Sequence, residues 1–115
     1  MSELQELQTK LAQFSLDRDW DKFHSPKNLA MALAGEAGEL LEIFQWLTEK
    51  ESSNLSEEQR DEVAQELADI LLYLVRIADK TGIDLFKACE QKMRLNEEKY
   101  PISKAYGVST KYSKL

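Results

Sequence analysis

Apolar residues recur every three to four positions along this chain, a period that a helix can gather onto one face and a strand cannot. Leu4, Leu7, Leu11 and Phe14 mark a first helix over residues 2–17. Leu29, Leu33, Leu40, Ile43 and Leu47 mark a second over 26–47, and Val63, Ile70, Leu74 and Ile77 a third over 57–80. The punctuation agrees with the period. Ser25 before Pro26 supplies an N-cap hydroxyl and then a proline at the first helical position. Ser56 with Gln59 forms a capping box, and Glu57 and Glu58 favour the positive helix end. Gly82 supplies a left-handed stop, and Asp84 caps a fourth helix over 85–100 that Pro101 ends. Residues 18–24 read as an ordered loop carrying Trp20 and Phe23, and 48–55 as a polar loop. Residues 102–115 hold Lys104, Lys111 and Lys114 with no acid, and read as a mobile polar tail. The expectation is an all-α, four-helix domain over 1–101 followed by that tail.

Two carboxylate pairs interrupt the apolar stripes: Glu36-Ala37-Gly38-Glu39 and Glu66-Leu67-Ala68-Asp69. Acids three apart project from one helix face, so each pair can reach a single ion. At 100° per residue, Leu29, Leu33, Leu40, Ile43 and Leu47 all fall within about 60° of Glu36, and the core-like residues of the third helix begin about 20° from Glu66. Charge on the flank of a core stripe is ordinarily paired or ligating. The alternative is a set of solvated surface charges, the usual fate of acids in a chain that is 31% charged. Four carboxylates drawn together repel one another, which calls for a cation among them. With oxygen donors alone on offer, that cation is hard: Mg²⁺ first and Mn²⁺ second. Behind the acids, Ala30, Ala34, Gly35, Ala37 and Gly38 form a small-residue face. Glycine costs a helix interior about 0.5–1 kcal/mol relative to alanine, so this face predicts close packing against another backbone.

Composition narrows the function classes. A net charge of −6 over 115 residues argues against a nucleic-acid-coating or anionic-membrane protein, though not against a small phosphorylated ligand bridged by metal ions. The apolar run from Ile70 to Val75 is too short to span a bilayer. A lone Cys89, read as a small core residue, forms no internal disulfide, and Met1-Ser2-Glu3-Leu4 lacks a signal-like pattern, so a cytoplasmic protein is expected. The closing Ser113-Lys114-Leu115 matches a peroxisomal address and is read as coincidence. A di-iron carboxylate centre is disfavoured, because His24, the single histidine, stands in no Glu-x-x-His pair.

Arg18-Asp19-Trp20, Phe23 to Leu29, Gly35 to Leu40, Phe44-Gln45-Trp46, Glu66 to Asp69 and Asn96 to Pro101, in that order, resemble the MazG-like nucleotide pyrophosphohydrolases. Within them the pattern is most similar to the small all-α dCTP pyrophosphatases, which share glycine at the position of Gly35. The resemblance implies Mg²⁺-dependent hydrolysis of a nucleoside triphosphate to a monophosphate and pyrophosphate, with Glu36, Glu39, Glu66 and Asp69 as catalytic metal ligands. It implies a nucleotide pocket formed by Trp20, His24, Trp46, Lys92 and Asn96; the helical wheel adds Tyr73, whose hydroxyl lies on the acids' side in reach of the sugar or a phosphate. The small-residue and apolar faces of the second helix predict a homo-oligomer, for which the resemblance implies a tetramer built from paired dimers. As isolated residues the two tryptophans would be core, His24 a loop hydrogen-bonder, Tyr73 a packing residue, and Lys92 and Asn96 surface groups sharing one face at i and i+4. Other substrates of the same fold, dUTP, dATP or phosphoribosyl-ATP, stay open at this point, as does a non-catalytic helical oligomerisation module.

Overall fold

A computed structural model describes residues 1–115, and it contains helices and turns with no strand. The chain divides into two compact units, Met1–Gly82 and Ile83–Leu115.

In the first unit, α1 (Glu3–Asp17), α2 (Pro26–Phe44), the single-turn α3 (Glu49–Ser52) and α4 (Glu57–Thr81) follow one another, with a 3-10 turn at Asp21–Phe23. Helix α4 is the hub, packing extensively along α2 and against α1. Each helix starts at a hydroxyl cap. Ser2, Ser25, Thr48 and Ser56 each accept from the backbone N–H three residues on. Gln5, Glu51 and Gln59 return the bond to the cap's own N–H, completing three capping boxes.

Helix α1 ends in a Schellman arrangement. Asp19 N–H donates to Leu16 O at 3.1 Å and Trp20 N–H to Ser15 O at 2.9 Å. Asp19 takes the left-handed conformation (φ 55°) that glycine usually fills, a conformation its short polar side chain tolerates better than most. This reversal sets where Trp20 leaves the helix. Helix α2 stops at Phe44, three residues before the expected Leu47. The reason is Thr48: as the cap of α3 it needs extended backbone (ψ 165°), so the chain turns through Gln45–Leu47 to reach it. The polar loop over 48–55 therefore carries a helical turn.

The core of this unit is small. Leu29 and Val75 at 2% exposure and Ala78 at 5% are its buried apolar members. Ser15 and Arg76 are buried beside them. The small-residue face of α2 is open in the single chain, contrary to the tight packing expected from sequence. A Cβ placed on Gly35 or Gly38 meets nothing within 4 Å.

The second unit holds α5 (Leu85–Lys99), capped by Asp84, and the single-turn α6 (Ile102–Ala105), with a 3-10 turn at Tyr112–Lys114. The segment expected to be a mobile tail thus has local structure. Tyr100 and Tyr112 meet edge to face with ring centroids 6.0 Å apart, the Tyr100 hydroxyl accepts from Tyr112 N–H, and Lys99 lies over the Tyr112 ring. Cys89, expected in the core, is exposed on α5.

Three glycines test this description. Gly82 ends α4 at φ 69°, so Gly82→Ala should destabilise the protein by about 1 kcal/mol in urea unfolding. Gly35→Ala and Gly38→Ala fill open space within a helix and should stabilise the isolated chain by up to about 1 kcal/mol. A loss of that size instead would show that a second copy covers this face.

Candidate functional site

The extensive seam between α2 and α4 carries the acids. Glu36 lies two turns beyond the buried Leu29 on the same face of α2, so it points where the core points. Carboxylate oxygens of Glu36, Glu39 and Glu66 all come within 4.8 Å of one another. Asp69, one turn beyond Glu66, stands outside that trio, though its charge acts on Glu36. Three of the four expected ligands are therefore gathered, with the fourth close behind.

Nothing cationic in the chain neutralises them. The ion pairs join Lys22 to Asp19, Arg76 to Asp21 and Asp79, and Lys80 to Asp21, and none reaches the cluster. One oxygen of Glu36 and one of Glu66, each Oε2, are buried without a hydrogen-bond partner. A buried carboxylate oxygen without a donor is costly, and a cation is what resolves the cost. The all-oxygen donor set fits a hard divalent ion. Neighbouring carboxyls shift the protonation equilibria accordingly. Glu66 beside Glu36 holds the Glu36 carboxyl above the usual range, with burial and the Asp69 charge pushing the same way. Glu36 does the same to Glu39.

The other expected residues are dispersed. Trp20 is 45% exposed and meets Phe14 edge-on at 5.7 Å, while Trp46, in the turn after α2, is 86% exposed. Neither is a core tryptophan in this chain. Tyr73 is half-buried on α4, one turn past Asp69. His24 is also half-buried, and its Nδ1 accepts from Arg76 Nε at 3.3 Å. Lys92 and Asn96 lie on α5 in the second unit, the lysine exposed and the asparagine half-buried.

A second charged cluster was not anticipated. Arg76, 5% exposed, donates to Asp21 and, at 3.0 Å, to Asp79, whose other oxygen accepts from Gln8 Nε2 of α1 at 3.0 Å. Lys80 also donates to Asp21, and that contact, ahead of the Arg76 charge, holds the Asp21 carboxyl below the usual range. The signal available in the sequence was Arg76 itself, a lone charge interrupting the apolar stretch from Ile70 to Ala78.

A MazG-like family profile matches residues 32–115, spanning both acidic pairs. The chain belongs to the MazG-like family. Human dCTP pyrophosphatase 1 is 41% identical over 97% of this chain and 67% of its own length, and the rat protein of the same name is 39% identical over the same shares. The crystal structure of a pyrophosphatase from Archaeoglobus fulgidus superposes with a TM-score of 0.82 at 41% identity, covering 88% of this MazG-like chain and 94% of that one.

The cluster predicts a pH signature. Because Glu36 and Glu39 are raised, the folded chain binds more protons than the unfolded chain just above the carboxylate range. The stability they confer is present at low pH and falls as pH rises through those raised values. Glu36→Gln should therefore raise the thermal midpoint of the metal-free protein at neutral pH, and the gain should shrink as acidification protonates the raised carboxyls. Calorimetry of both proteins in chelator checks this, and an equal difference at every pH would contradict it.

Proposed function

We propose that this chain is a Mg²⁺-dependent nucleoside triphosphate pyrophosphohydrolase acting on dCTP or a modified dCTP, releasing the monophosphate and pyrophosphate. The observation that carries the reading is the acidic trio with two orphaned oxygens, in a chain 41% identical to a dCTP pyrophosphatase over 97% of its length. An oligomerisation module would have no use for buried, unpaired carboxylates.

Glu36, Glu39, Glu66 and Asp69 would hold the ion. When bound, a divalent cation screens the polyphosphate, polarises a phosphoryl oxygen and makes water a better nucleophile near neutral pH. The carboxylates alone repel a triphosphate, so substrate binding is conditional on their neutralisation. A carboxylate of this set that is not fully engaged as a ligand takes the proton from the attacking water. Trp46 and Trp20 present exposed indole surface, which suits stacking on a base and suits core packing poorly. Tyr73, half-buried one turn past Asp69, is assigned to the sugar or phosphates, and Lys92 and Asn96 to phosphate and base contacts by family resemblance.

Assembly as a homo-oligomer, a dimer of dimers, belongs to the same proposal. On α4, Leu67 (53% exposed), Leu71 (41%) and Leu74 (38%) form one stripe at helical spacing. On α2, Met31 and Leu41 are about 60% exposed beside the open glycines. Apolar surface of that extent on a small core is what a second copy would cover. No helix is long and apolar enough to cross a membrane.

The deciding experiment is pyrophosphate release from dCTP, dUTP, dATP and phosphoribosyl-ATP with Mg²⁺, Mn²⁺ or chelator. Release from dCTP that chelator abolishes is expected. Glu39→Gln and Asp69→Asn should each lower kcat at least about a hundredfold while the circular dichroism spectrum is kept. Trp46→Ala should raise KM for dCTP by roughly 1–3 kcal/mol of lost stacking with little change in thermal midpoint. Absence of pyrophosphate release from all four nucleotides would reject the reading.

A further inference from the structure

The buried guanidinium of Arg76 dictates the chemical form of His24. A guanidinium donates hydrogen bonds and accepts none, and it keeps its protons throughout the range in which proteins fold. Arg76 Nε donates to His24 Nδ1 at 3.3 Å, so Nδ1 must present a lone pair, which leaves the single ring proton on Nε2. The arginine cannot easily turn away. Its two terminal nitrogens are engaged with Asp21 and Asp79, and Asp79 is in turn held by Gln8. His24 is tied by its backbone as well, donating its N–H to Asp21 O at 3.1 Å.

The charged groups around the imidazole are Asp21 from its own 3-10 turn and Arg76, Asp79 and Lys80 from α4, with neutral Gln8 from α1. Asp21 is the carboxylate that would draw a second proton onto the ring, and it is already shared between Arg76 and Lys80. Burial first, then the Arg76 charge, holds His24 below the usual histidine range and outweighs the Asp21 contribution. The ring is therefore neutral at physiological pH, with its free N–H on the side away from Arg76.

We propose that Arg76 is a positioning residue that fixes His24 as the neutral Nε2–H tautomer, so that His24 offers a bound nucleotide one hydrogen-bond donor and takes no part in proton transfer. This rests on the reading that places His24 at the nucleotide pocket. The consequence is discrimination: an imidazolium would attract any phosphate, whereas a neutral donor of fixed direction rewards an acceptor in one place.

His24 is the sole histidine, so its ring signals in long-range proton–nitrogen spectra of ¹⁵N-labelled protein are unambiguous. The intact protein should show the Nε2–H form, and its titration should lie below the ordinary midpoint near 6.5. Arg76→Lys keeps the charge for Asp21 and Asp79 but loses the fixed fork. It should give a mixture of tautomers, a titration moved up toward the ordinary value, and a KM for dCTP that becomes pH-dependent around that value with kcat at saturation retained. His24→Ala should raise KM about tenfold, the worth of one hydrogen bond, while His24→Gln, whose amide also donates, should recover most of it. A dominant Nδ1–H form in the intact protein, or an unshifted titration, overturns the assignment without any variant having to fold. Loss of kcat with unchanged KM in His24→Ala would make the histidine a proton-transfer group and overturn it too. A normal tautomer with no response of KM or kcat in either His24 variant would overturn the donor role and remove His24 from the pocket, leaving pyrophosphate release by the chain as a separate question.

Discussion

Repulsion among Glu36, Glu39 and Glu66 is the constraint around which the first unit is arranged. The apolar stripes that drive α2 onto α4 flank the very positions that carry the acids, so the helices cannot bury Leu29 and Val75 without driving the carboxylates together. Two Oε2 atoms end up out of contact with water and without a donor. Hydrophobic closure and charge repulsion act on the same seam with opposite sign, and under the proposed function a hard divalent ion would be the component that lets both be satisfied. Metal binding, on that proposal, and the packing of this helix pair would be one equilibrium.

Helix α4 carries a second charge cluster of opposite design. Arg76 lies ten residues beyond Glu66, about 15 Å along the helix at 1.5 Å per residue. Here the buried cation is fully partnered, with Asp21 and Asp79 on its terminal nitrogens and His24 on Nε. Removing one member of such a network leaves a buried charge unpaired and is more costly than the network is stabilising. The first cluster leaves two carboxylate oxygens without a partner in the chain; the second is complete within it. The complete one ties α1, the turn that carries His24, and α4 into a fixed frame, against which a ligand-dependent site can be held in register.

Much of this was legible in the sequence because it is local. Ser25-Pro26, Ser56 with Gln59, Gly82 and Asp84 act within one helical turn, and each terminates or caps a helix where expected. A gathering of acids was legible too, since an i, i+3 pair lay beside each apolar stripe, though the structure brings together Glu36, Glu39 and Glu66 and leaves Asp69 outside the trio. The early end of α2 was not, because Thr48 and Glu51 cap a helix of a single turn that has no apolar period to announce it. The Arg76 network escaped for a different reason. Its members lie up to 71 residues apart, and no spacing rule connects Gln8 to Asp79 or Arg76 to His24. Small residues misled: Gly35 and Gly38 imply a close neighbour, and within one chain there is none.

That open face and the exposed aromatic residues belong to one argument. A small core of Leu29, Val75 and Ala78 is thin support for helices of 19 and 25 residues, and the seam it supports also has to contain like charge. Meanwhile Met31, Leu41, Trp46, Leu67 and Leu71 leave large apolar side chains in water on the two helices that bear the acids and the turn that follows α2. Burial of that surface against a second copy would add hydrophobic stabilisation to the helices on which carboxylate repulsion acts, at about 25 cal/mol per Å² removed from water. Under the proposed assembly and metal site, the subunit contact and the metal would therefore do related work. One holds the helices together from outside, and the other removes the force that pushes them apart from within. Trp46 then has two competing uses for its exposed ring, subunit packing and base stacking. They differ in when the surface is covered: a packing tryptophan is buried before nucleotide arrives, whereas a stacking one stays quenchable by solvent until the base closes over it.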